Sequence, residues 1–350
     1  MMKLARALTL PLFFSAPLAC ADVNPEEELF EQLEDRSLSA ATCEQLFTIE
    51  HMFETSDGTM LRVTERFSPA SVFRIPRRAA LMLPGTLVTG DQWDMRVNDG
   101  GEFSALDRLA SEGFFAYAVT YEGYPGSEQP AEGSTVTAAR SLEQMGELVE
   151  WIRARHFVPR VDLFGASFGS SLATALGGTM SPISHHHIGR MVLQAVVYKE
   201  VTPLFQQVFF SPEVQAALEN APGGYILTSP EMYGLILLAA DPDAAAYGFA
   251  TFPDVYATGP TLSGFFLPVF DAMYGRSPAL QFWGDVDPIT PLSDAQQFQS
   301  EYGGDSELVI VPGAGHAPYI GDEATREIFW SESLEFLDYD RFSFYLACEP

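Results

Sequence analysis

The sequence predicts an α/β fold with a mostly parallel, doubly wound sheet and an inserted helical cap, on three observations. Short apolar runs suited to buried strands alternate with segments whose apolar residues recur at helical spacing. Hydrophobic residues make up 47% of the chain and charged residues 19%, which is enough apolar material for a large core. Between residues 198 and 276 the alternation lapses. The first observation predicts the sheet, the second a large core, and the third the cap.

The strands and helices of the predicted sheet can be placed in chain order. A hairpin is expected over residues 53–67, because Ser56, Asp57 and Gly58 form a turn signal between two strand-like runs. Apolar runs then predict strands at 79–83, 114–121, 161–164, 191–197, 279–283 and 308–311. Helices are predicted between the first three of these strands, and a small-residue helix over 170–176. Sheets of this kind carry their chemistry at the carboxyl ends of the strands.

The segment of residues 199–275 is rich in Phe and Tyr and is interrupted by several prolines. A stretch of this length without structure is unusual inside a compact domain, so we expect a cap of short helices. An aromatic cap over the strand ends would form a hydrophobic pocket, although the same aromatic residues could equally form the core of the cap itself.

The N-terminus is typical of an export signal. Lys3 and Arg6 precede an apolar run, and Ala19, Cys20 and Ala21 form a small-residue cleavage site. Cleavage after Ala21 predicts a secreted or periplasmic protein, and anchoring as a lipoprotein through Cys20 is the alternative. The apolar run is too short to span a membrane, and no later segment is both long and uncharged enough.

The predicted organisation is a signal peptide (1–21), an N-terminal extension (22–46), a core in two parts (47–198 and 276–350) and a cap (199–275). Cleavage leaves two cysteines, Cys43 and Cys348. In an oxidising compartment such a pair predicts a disulfide, with two unrelated buried thiols as the alternative.

The net charge of the chain excludes nucleic acid as a partner. The chain has 19 Lys and Arg against 47 Asp and Glu, a net charge of −28, and so lacks the basic surface that nucleic-acid binding requires. A strongly acidic protein also disfavours anionic substrates through its long-range field, so neutral or cationic substrates are expected. The sequence leaves the oligomeric state open.

Residues 165–169, Gly-Ala-Ser-Phe-Gly, follow a predicted strand directly and precede a predicted helix. In this strand-turn-helix setting the pattern indicates a nucleophile, because a strained turn exposes the Ser167 hydroxyl and the two glycines let strand and helix approach closely. The amide of Phe168, at the start of the helix, faces the same space and is a candidate oxyanion donor.

A serine nucleophile requires a base and an orienting acid, and both types of residue follow later strands. Asp285 and Asp287 follow the predicted strand 279–283, and His316 follows the strand 308–311 in a turn of glycine and proline. The run His185 to His187 is best explained as a solvated loop, because adjacent side chains do not converge on a metal and no acid or cysteine completes a site. The sequence therefore predicts neither a metal nor a cofactor.

These motifs, taken in order, resemble those of the α/β-hydrolase superfamily in its branch with a cap, over roughly residues 47–337. The resemblance implies Ser167 as nucleophile, His316 as base, and Asp287 rather than Asp285 as acid, since the family's spacing matches Gly284, Asp287 and Pro291. The family's His-Gly oxyanion segment appears here as Pro84, Gly85 and Thr86, which implies the Thr86 amide as a donor with proline in place of the histidine.

The predicted function is an exported serine hydrolase that cleaves carboxylic esters with an apolar part through an acyl-enzyme. Two alternatives remain. The first is an exported aminopeptidase or amidase, in which acids of the cap would hold a free amine; the candidate acids are Glu200, Glu213, Glu231, Asp241, Asp243 and Asp254. The second is a ligand-binding protein on the same fold that does not turn over its ligand.

Overall fold

The computed structural model describes residues 45–264, 270–338 and 344–345, and an eight-stranded sheet lies at its centre. The strands in chain order are β1 Phe47–Glu54, β2 Met60–Phe67, β3 Arg78–Leu83, β4 Phe114–Val119, β5 Val161–Ala166, β6 Ile188–Gln194, β7 Ala279–Gly284 and β8 Ser306–Val311. Their order across the sheet is β1-β2-β4-β3-β5-β6-β7-β8. β1 and β2 form the predicted antiparallel hairpin and β2 runs antiparallel to β4, while all the other pairs are parallel. The predicted fold class is confirmed.

Eleven α-helices lie within the described residues. They are α1 Pro69–Phe73, α2 Ala105–Ser111, α3 Ala138–His156, α4 Phe168–Leu176, α5 Pro203–Phe209, α6 Pro212–Glu219, α7 Pro230–Ile236, α8 Pro242–Thr251, α9 Gly259–Gly264, α10 Leu292–Glu301 and α11 Glu323–Leu337. Short 3₁₀ turns occur at Gly90–Trp93, Val97–Asp99, Gly133–Thr135, His185–His187, Pro222–Gly224, Ala272–Tyr274 and Pro318–Ile320.

The central strands β3, β4 and β5 are buried on both faces, as the apolar composition of their sequences requires. The chain runs from β3 outward to β4 and then returns to β5 on the other side of β3. Because parallel crossovers are right-handed, this reversal places α2 on the opposite face of the sheet from α3 and α4. It also opens a crevice beyond the carboxyl ends of β3 and β5, where ligands bind in open α/β sheets.

Between β6 and β7 the chain forms helices α5 to α9 and a small antiparallel sheet that pairs Tyr225–Leu227 with Val255–Ala257. Prolines stand at the first positions of α5, α6, α7 and α8. The sequence predicts Pro212, Pro230 and Pro242 as interruptions of helices. In the structure each of them begins a helix, because the first turn leaves its N–H groups unpaired and proline lacks only that N–H. The small sheet was not predicted. The proposed domain boundaries stay a prediction.

Two strands differ from their predicted positions. β1 begins at Phe47, ahead of the predicted start at 53, and alternates between half-buried and exposed side chains, so it lacks a continuous apolar run. β6 spans Ile188–Gln194 instead of 191–197. Ala195, Val196 and Val197 are apolar but lie in the loop beyond the strand, where Val197 faces a cavity described below.

Several predictions concern segments outside the described residues: the signal peptide, the extension up to residue 44, and the pairing of Cys43 with Cys348. Within the described residues, no helix combines the length and the apolar character needed to cross a membrane.

Candidate active site

Ser167 lies in a sharp turn between β5 and α4. Its backbone has φ +52° and ψ −115°, outside the regions that non-glycine residues prefer. Such strain is stored where the surrounding structure imposes it, and here it lifts the side chain away from both the strand and the helix. Ser167 is half-buried and lines the cavity at the strand ends.

The glycines on either side of Ser167 are required by close packing. A Cβ at Gly165 would lie 2.6 Å from the backbone nitrogen of Ser170, and one at Gly169 would lie 2.1 Å from the carbonyl oxygen of Leu83. Neither contact is sterically possible. The turn therefore depends on glycine at both positions, as the sequence pattern predicts.

Asp287 and His316 are in direct contact. His316 Nδ1 lies 2.9 Å from Asp287 Oδ2 and 3.1 Å from Asp287 Oδ1, and both side chains are buried. Burial alone would raise the pKa of Asp287, but the charge and hydrogen bond of His316 and the donors of Ile289 and Thr290 outweigh it and lower that pKa. The carboxylate can then only accept, so Nδ1 of His316 carries the proton and Nε2 is left free to act as a base.

Asp285, the other candidate acid, has a different partner. Its Oδ1 accepts a hydrogen bond of 2.7 Å from the Gly313 N–H, which ties the loop after β7 to the loop after β8. The two loops also approach closely at Gly284, where a Cβ would lie 2.1 Å from the Ala314 carbonyl oxygen. Asp285 thus fixes the loop that carries His316 and does not contact the imidazole itself.

The loop after β3 leaves one of three consecutive amides free. The Gly85 N–H donates to Gln92 Oε1 at 2.9 Å, and the Leu87 N–H donates to the Tyr124 hydroxyl at 3.3 Å. The Thr86 N–H, between them, has no acceptor among the described residues, and Thr86 lines the cavity with Ser167. The arrangement leaves the middle amide available to an oxyanion, at the residue that the resemblance implies.

Phe168 is the first residue of α4, so its N–H has no acceptor within the helix. The amide follows Ser167 directly at the positive end of the helix dipole. The aromatic side chain packs edge to face against Tyr121 and Phe270 and is buried. Ser167 and the first turn of the helix are thereby held against the core.

The cavity beside Ser167 is mainly apolar. Both halves of the chain contribute: Gly85, Thr86, Leu87, Val88, Gln92, Ala166, Ser167, Val197, Phe205, Phe209, Ile236, Ile289, His316 and Ala317. Phe205 and Phe209 of α5 stack with their ring centroids 4.3 Å apart and form an aromatic wall. Ser167 and His316 thus face the same apolar space. No hydrogen bond joins their side chains in the described structure, a separation common before substrate binds.

Three contributors to this site were not predicted. Gln92 holds the Gly85 amide and Tyr124 holds the Leu87 amide, while the Tyr233 hydroxyl lies 3.2 Å from the Leu87 carbonyl oxygen and closer still to its other acceptor, the Pro253 carbonyl oxygen. Leu87 itself has φ +74°, so these bonds hold a strained residue in place. The sequence pattern gives no signal for these contacts, because each depends on how the loop after β3 folds.

Three of the other histidines contact acidic side chains. His51 and His156 contact buried Glu65, and His187 contacts Glu150. Across the described residues, no group of three or more His, Cys, Asp or Glu side chains is arranged to hold a metal ion.

Comparison with known proteins identifies the family. The model of the alpha/beta hydrolase family matches residues 80–328, most of the chain. This range contains the Ser167 turn, the Asp287 loop and His316. The protein belongs to the α/β-hydrolase family.

Solved structures share the fold at low sequence identity. An esterase from Exiguobacterium antarcticum is 19% identical, with a TM-score of 0.59 over 82% of this chain and 99% of its own. A monoacylglycerol lipase from Paleococcus ferrophilus is 16% identical, with a TM-score of 0.55 over 83% and 98%. An alpha/beta hydrolase from Novosphingobium aromaticivorans is 20% identical, with a TM-score of 0.54 over 83% and 98%. No curated protein matches the chain significantly.

Proposed function

We propose that the protein is a serine esterase that cleaves carboxylic esters with an apolar part through an acyl-enzyme on Ser167. One observation carries the proposal: Ser167, His316 and the free Thr86 amide line a single apolar cavity. Esterases and lipases among the proteins of similar fold agree with this chemistry.

The first half of the proposed reaction forms the acyl-enzyme. Ser167 Oγ attacks the ester carbonyl carbon, and its proton moves to His316 Nε2. The amides of Thr86 and Phe168 donate to the oxyanion, each contributing about 10²- to 10³-fold. The intermediate then collapses, the bond to the alcohol oxygen breaks, and the departing oxygen takes the proton from Nε2.

The second half releases the acid. Water gives a proton to Nε2 of His316 and attacks the acyl carbon, which forms a second oxyanion on the same donors. Ser167 Oγ leaves and recovers its proton. Asp287 stabilises the imidazolium in both halves and itself stays ionised, which its lowered pKa supports.

The position of the cap acids favours an esterase over an aminopeptidase. An aminopeptidase needs a carboxylate near the scissile bond to hold the free amine of its substrate. None of the six candidate acids is among the residues that line the cavity, and Glu213, Glu231 and Asp243 are exposed to solvent. An apolar cavity offers nothing to compensate a buried ammonium group.

Parallel rate measurements on p-nitrophenyl acyl esters and aminoacyl p-nitroanilides test this choice. We expect turnover of neutral esters, slower or absent turnover of the anilides, and loss of both in Ser167→Ala. Faster anilide hydrolysis would contradict the ester proposal. Turnover of neither series, with Ser167 unreactive, would favour the non-catalytic ligand-binding alternative.

We also propose export, with cleavage after Ala21, on the pattern of the first 21 residues alone. N-terminal sequencing of the protein recovered from a secreting host should begin at Asp22. A lipid-modified N-terminus at Cys20 would instead support the lipoprotein alternative.

A further inference from the structure

Gln92 is a buried polar side chain in the cavity that the proposed reaction does not use. It lies on the turn Gly90–Trp93 after β3, only 5% exposed, and lines the cavity with Ser167 and His316. A Cβ atom added to Gly85 would lie 3.5 Å from Ser167 Cβ and 3.8 Å from Gln92 Oε1. Gln92 and Ser167 thus both lie beside Gly85.

Three hydrogen bonds fix Gln92. Its N–H donates to the Thr89 carbonyl oxygen at 3.1 Å, and its own carbonyl oxygen accepts from the Tyr319 hydroxyl at 2.6 Å. Its Oε1 accepts from the Gly85 N–H at 2.9 Å. Because a backbone N–H can only donate, the atom that it meets must be the oxygen, so the position of the Nε2 amino group is fixed as well.

The amino group of Gln92 has no acceptor in the described residues, although the side chain is almost fully buried. Gln92 Nε2 keeps some accessible surface, so this donor can meet a molecule that enters the cavity. Most of the side chains around it in the cavity are apolar, among them Leu87, Val88 and Ile236. The donor is therefore held rigidly in an apolar space that a substrate would fill.

We propose that Gln92 is a specificity-determining residue whose Nε2 donates a hydrogen bond to an oxygen of the substrate other than the scissile carbonyl. The preferred substrates are then neutral esters that carry an ether, hydroxyl or keto oxygen close to the ester group, within an otherwise apolar part. This inference rests on the proposed esterase function. Simple alkyl esters still fit the cavity but leave the Gln92 donor unpaired, which lowers their kcat/KM.

Matched esters that differ by one oxygen test the proposal. For the acyl half the pair is p-nitrophenyl methoxyacetate and p-nitrophenyl butanoate, which have equal chain length. For the alcohol half the pair is methoxyethyl butanoate and butyl butanoate, followed by proton release. The ratio of kcat/KM within each pair is compared between variants, so the intrinsic reactivity of each ester cancels.

Two substitutions remove the donor in different ways. Gln92→Met preserves the length of the side chain but removes both polar atoms. Gln92→Glu, when ionised, keeps an acceptor for the Gly85 N–H, removes the donor and adds a negative charge. Gln207→Glu, at an exposed position of α5, is the control for added charge. Thermal melts and labelling of Ser167 by a fluorophosphonate confirm that each variant is folded.

For each pair, the ratio is kcat/KM on the ester with the extra oxygen divided by kcat/KM on the alkyl ester. In at least one pair we expect this ratio to be roughly 10- to 100-fold higher in wild type than in either Gln92 variant, the usual effect of one buried hydrogen bond. Gln207→Glu should keep the wild-type ratio. An equal fall on both esters of each pair would assign Gln92 to the oxyanion or to positioning of the Gly85 loop and overturn the proposal, as would unchanged ratios. Failure of the esterase proposal looks different, because wild type would then hydrolyse none of these esters.

Discussion

Asp287 and Asp285 are two residues apart on one loop but have different partners. Asp287 contacts the His316 imidazole, whereas Asp285 accepts from the Gly313 N–H. The difference makes the pair a matched test of the proposed triad.

Asp287→Asn should lower kcat on a neutral ester by about 10⁴-fold, because an amide in place of the carboxylate neither selects the Nδ1–H tautomer nor stabilises the imidazolium. Asp285→Asn should keep kcat close to wild type, since the asparagine oxygen still accepts from Gly313. The measurement is steady-state kinetics on the same p-nitrophenyl ester. Equal losses in the two variants would mean that Asp287 acts only through the loop.

Tyr124 supports the strained loop next to Ser167. Burial raises the pKa of its hydroxyl, which therefore stays neutral and accepts from the Leu87 N–H. Tyr124→Phe leaves that buried N–H unpaired, so we expect a loss of about 1–3 kcal/mol of unfolding free energy, with a fall in kcat. Denaturant unfolding and kinetics measure the two effects.

Tyr256 provides the matched control for that experiment. Its ring lies 6.4 Å from the ring of Tyr124, but its buried hydroxyl has no partner among the described residues. Tyr256→Phe should leave stability and kcat unchanged or raise stability slightly. A loss equal to that of Tyr124→Phe would refute the specific role of the Leu87 hydrogen bond.

Residue patterns predicted Ser167, Asp287 and His316 because each directly follows a strand, so the sheet brings them to one edge. Their catalytic roles stay predictions. Gln92 and Tyr233 could not be predicted in this way, since their contacts with Gly85 and Leu87 depend on how a turn and a cap helix fold back onto the loop. No local sequence pattern encodes which side chain a folded turn or helix presents to Gly85 or Leu87.

At the scale of elements, one buried carboxylate links the hairpin to helix α3. Glu65 of β2 is fully buried and contacts His51 of β1 together with Arg155 and His156 of α3, while Tyr117 of β4 contacts His156. Burial alone would raise the pKa of Glu65, but hydrogen bonds from His156 and His51 and the nearby positive charge outweigh it and hold the pKa far below its usual value.

The direction of this shift predicts how stability depends on pH. Because the pKa is lower in the folded protein, the stabilisation by ionised Glu65 is complete above about pH 4.5, the ordinary value, and is lost progressively as pH falls below it. Glu65→Gln should lower the unfolding free energy at pH 7 by about 3–5 kcal/mol. It should also make the decline below pH 4.5 shallower than in wild type.

Denaturant unfolding between pH 3 and pH 7 measures the effect, with Glu143→Gln on the exposed face of α3 as the control. The control should follow the wild-type curve. If Glu65→Gln were as stable as wild type at pH 7, the contacts of Glu65 with His51, Arg155 and His156 would not hold the hairpin to α3.

The elements of the core were easier to predict than those between β6 and β7. Buried strands such as β3 and β4 are continuous apolar runs, and their bounds fall within two residues of the prediction. The prolines of the cap were ambiguous, because a proline in the sequence can mark either the end of one helix or the start of the next. Only the folded chain distinguishes Pro212 as a helix start.

At the scale of the whole molecule, the strand order explains why the site could be located from sequence. The chain reverses direction between β4 and β5, and the crevice beyond β3 and β5 receives Thr86 from one strand and Ser167 from the other. β7 and β8 then bring Asp287 and His316 to the same edge. The substrate was harder to predict, because the wall of the cavity comes from α5 and α7, whose packing the pattern did not reveal.

Covalent labelling of Ser167 tests the proposed chemistry most directly. The folded protein is treated with a fluorophosphonate, and the modified peptide is identified by mass spectrometry. We expect a single adduct on Ser167, no adduct in Ser167→Ala, and much slower labelling in His316→Ala, because the hydroxyl reacts only when a base removes its proton. A folded protein that stays unlabelled at Ser167 would contradict the assignment of this residue as the nucleophile.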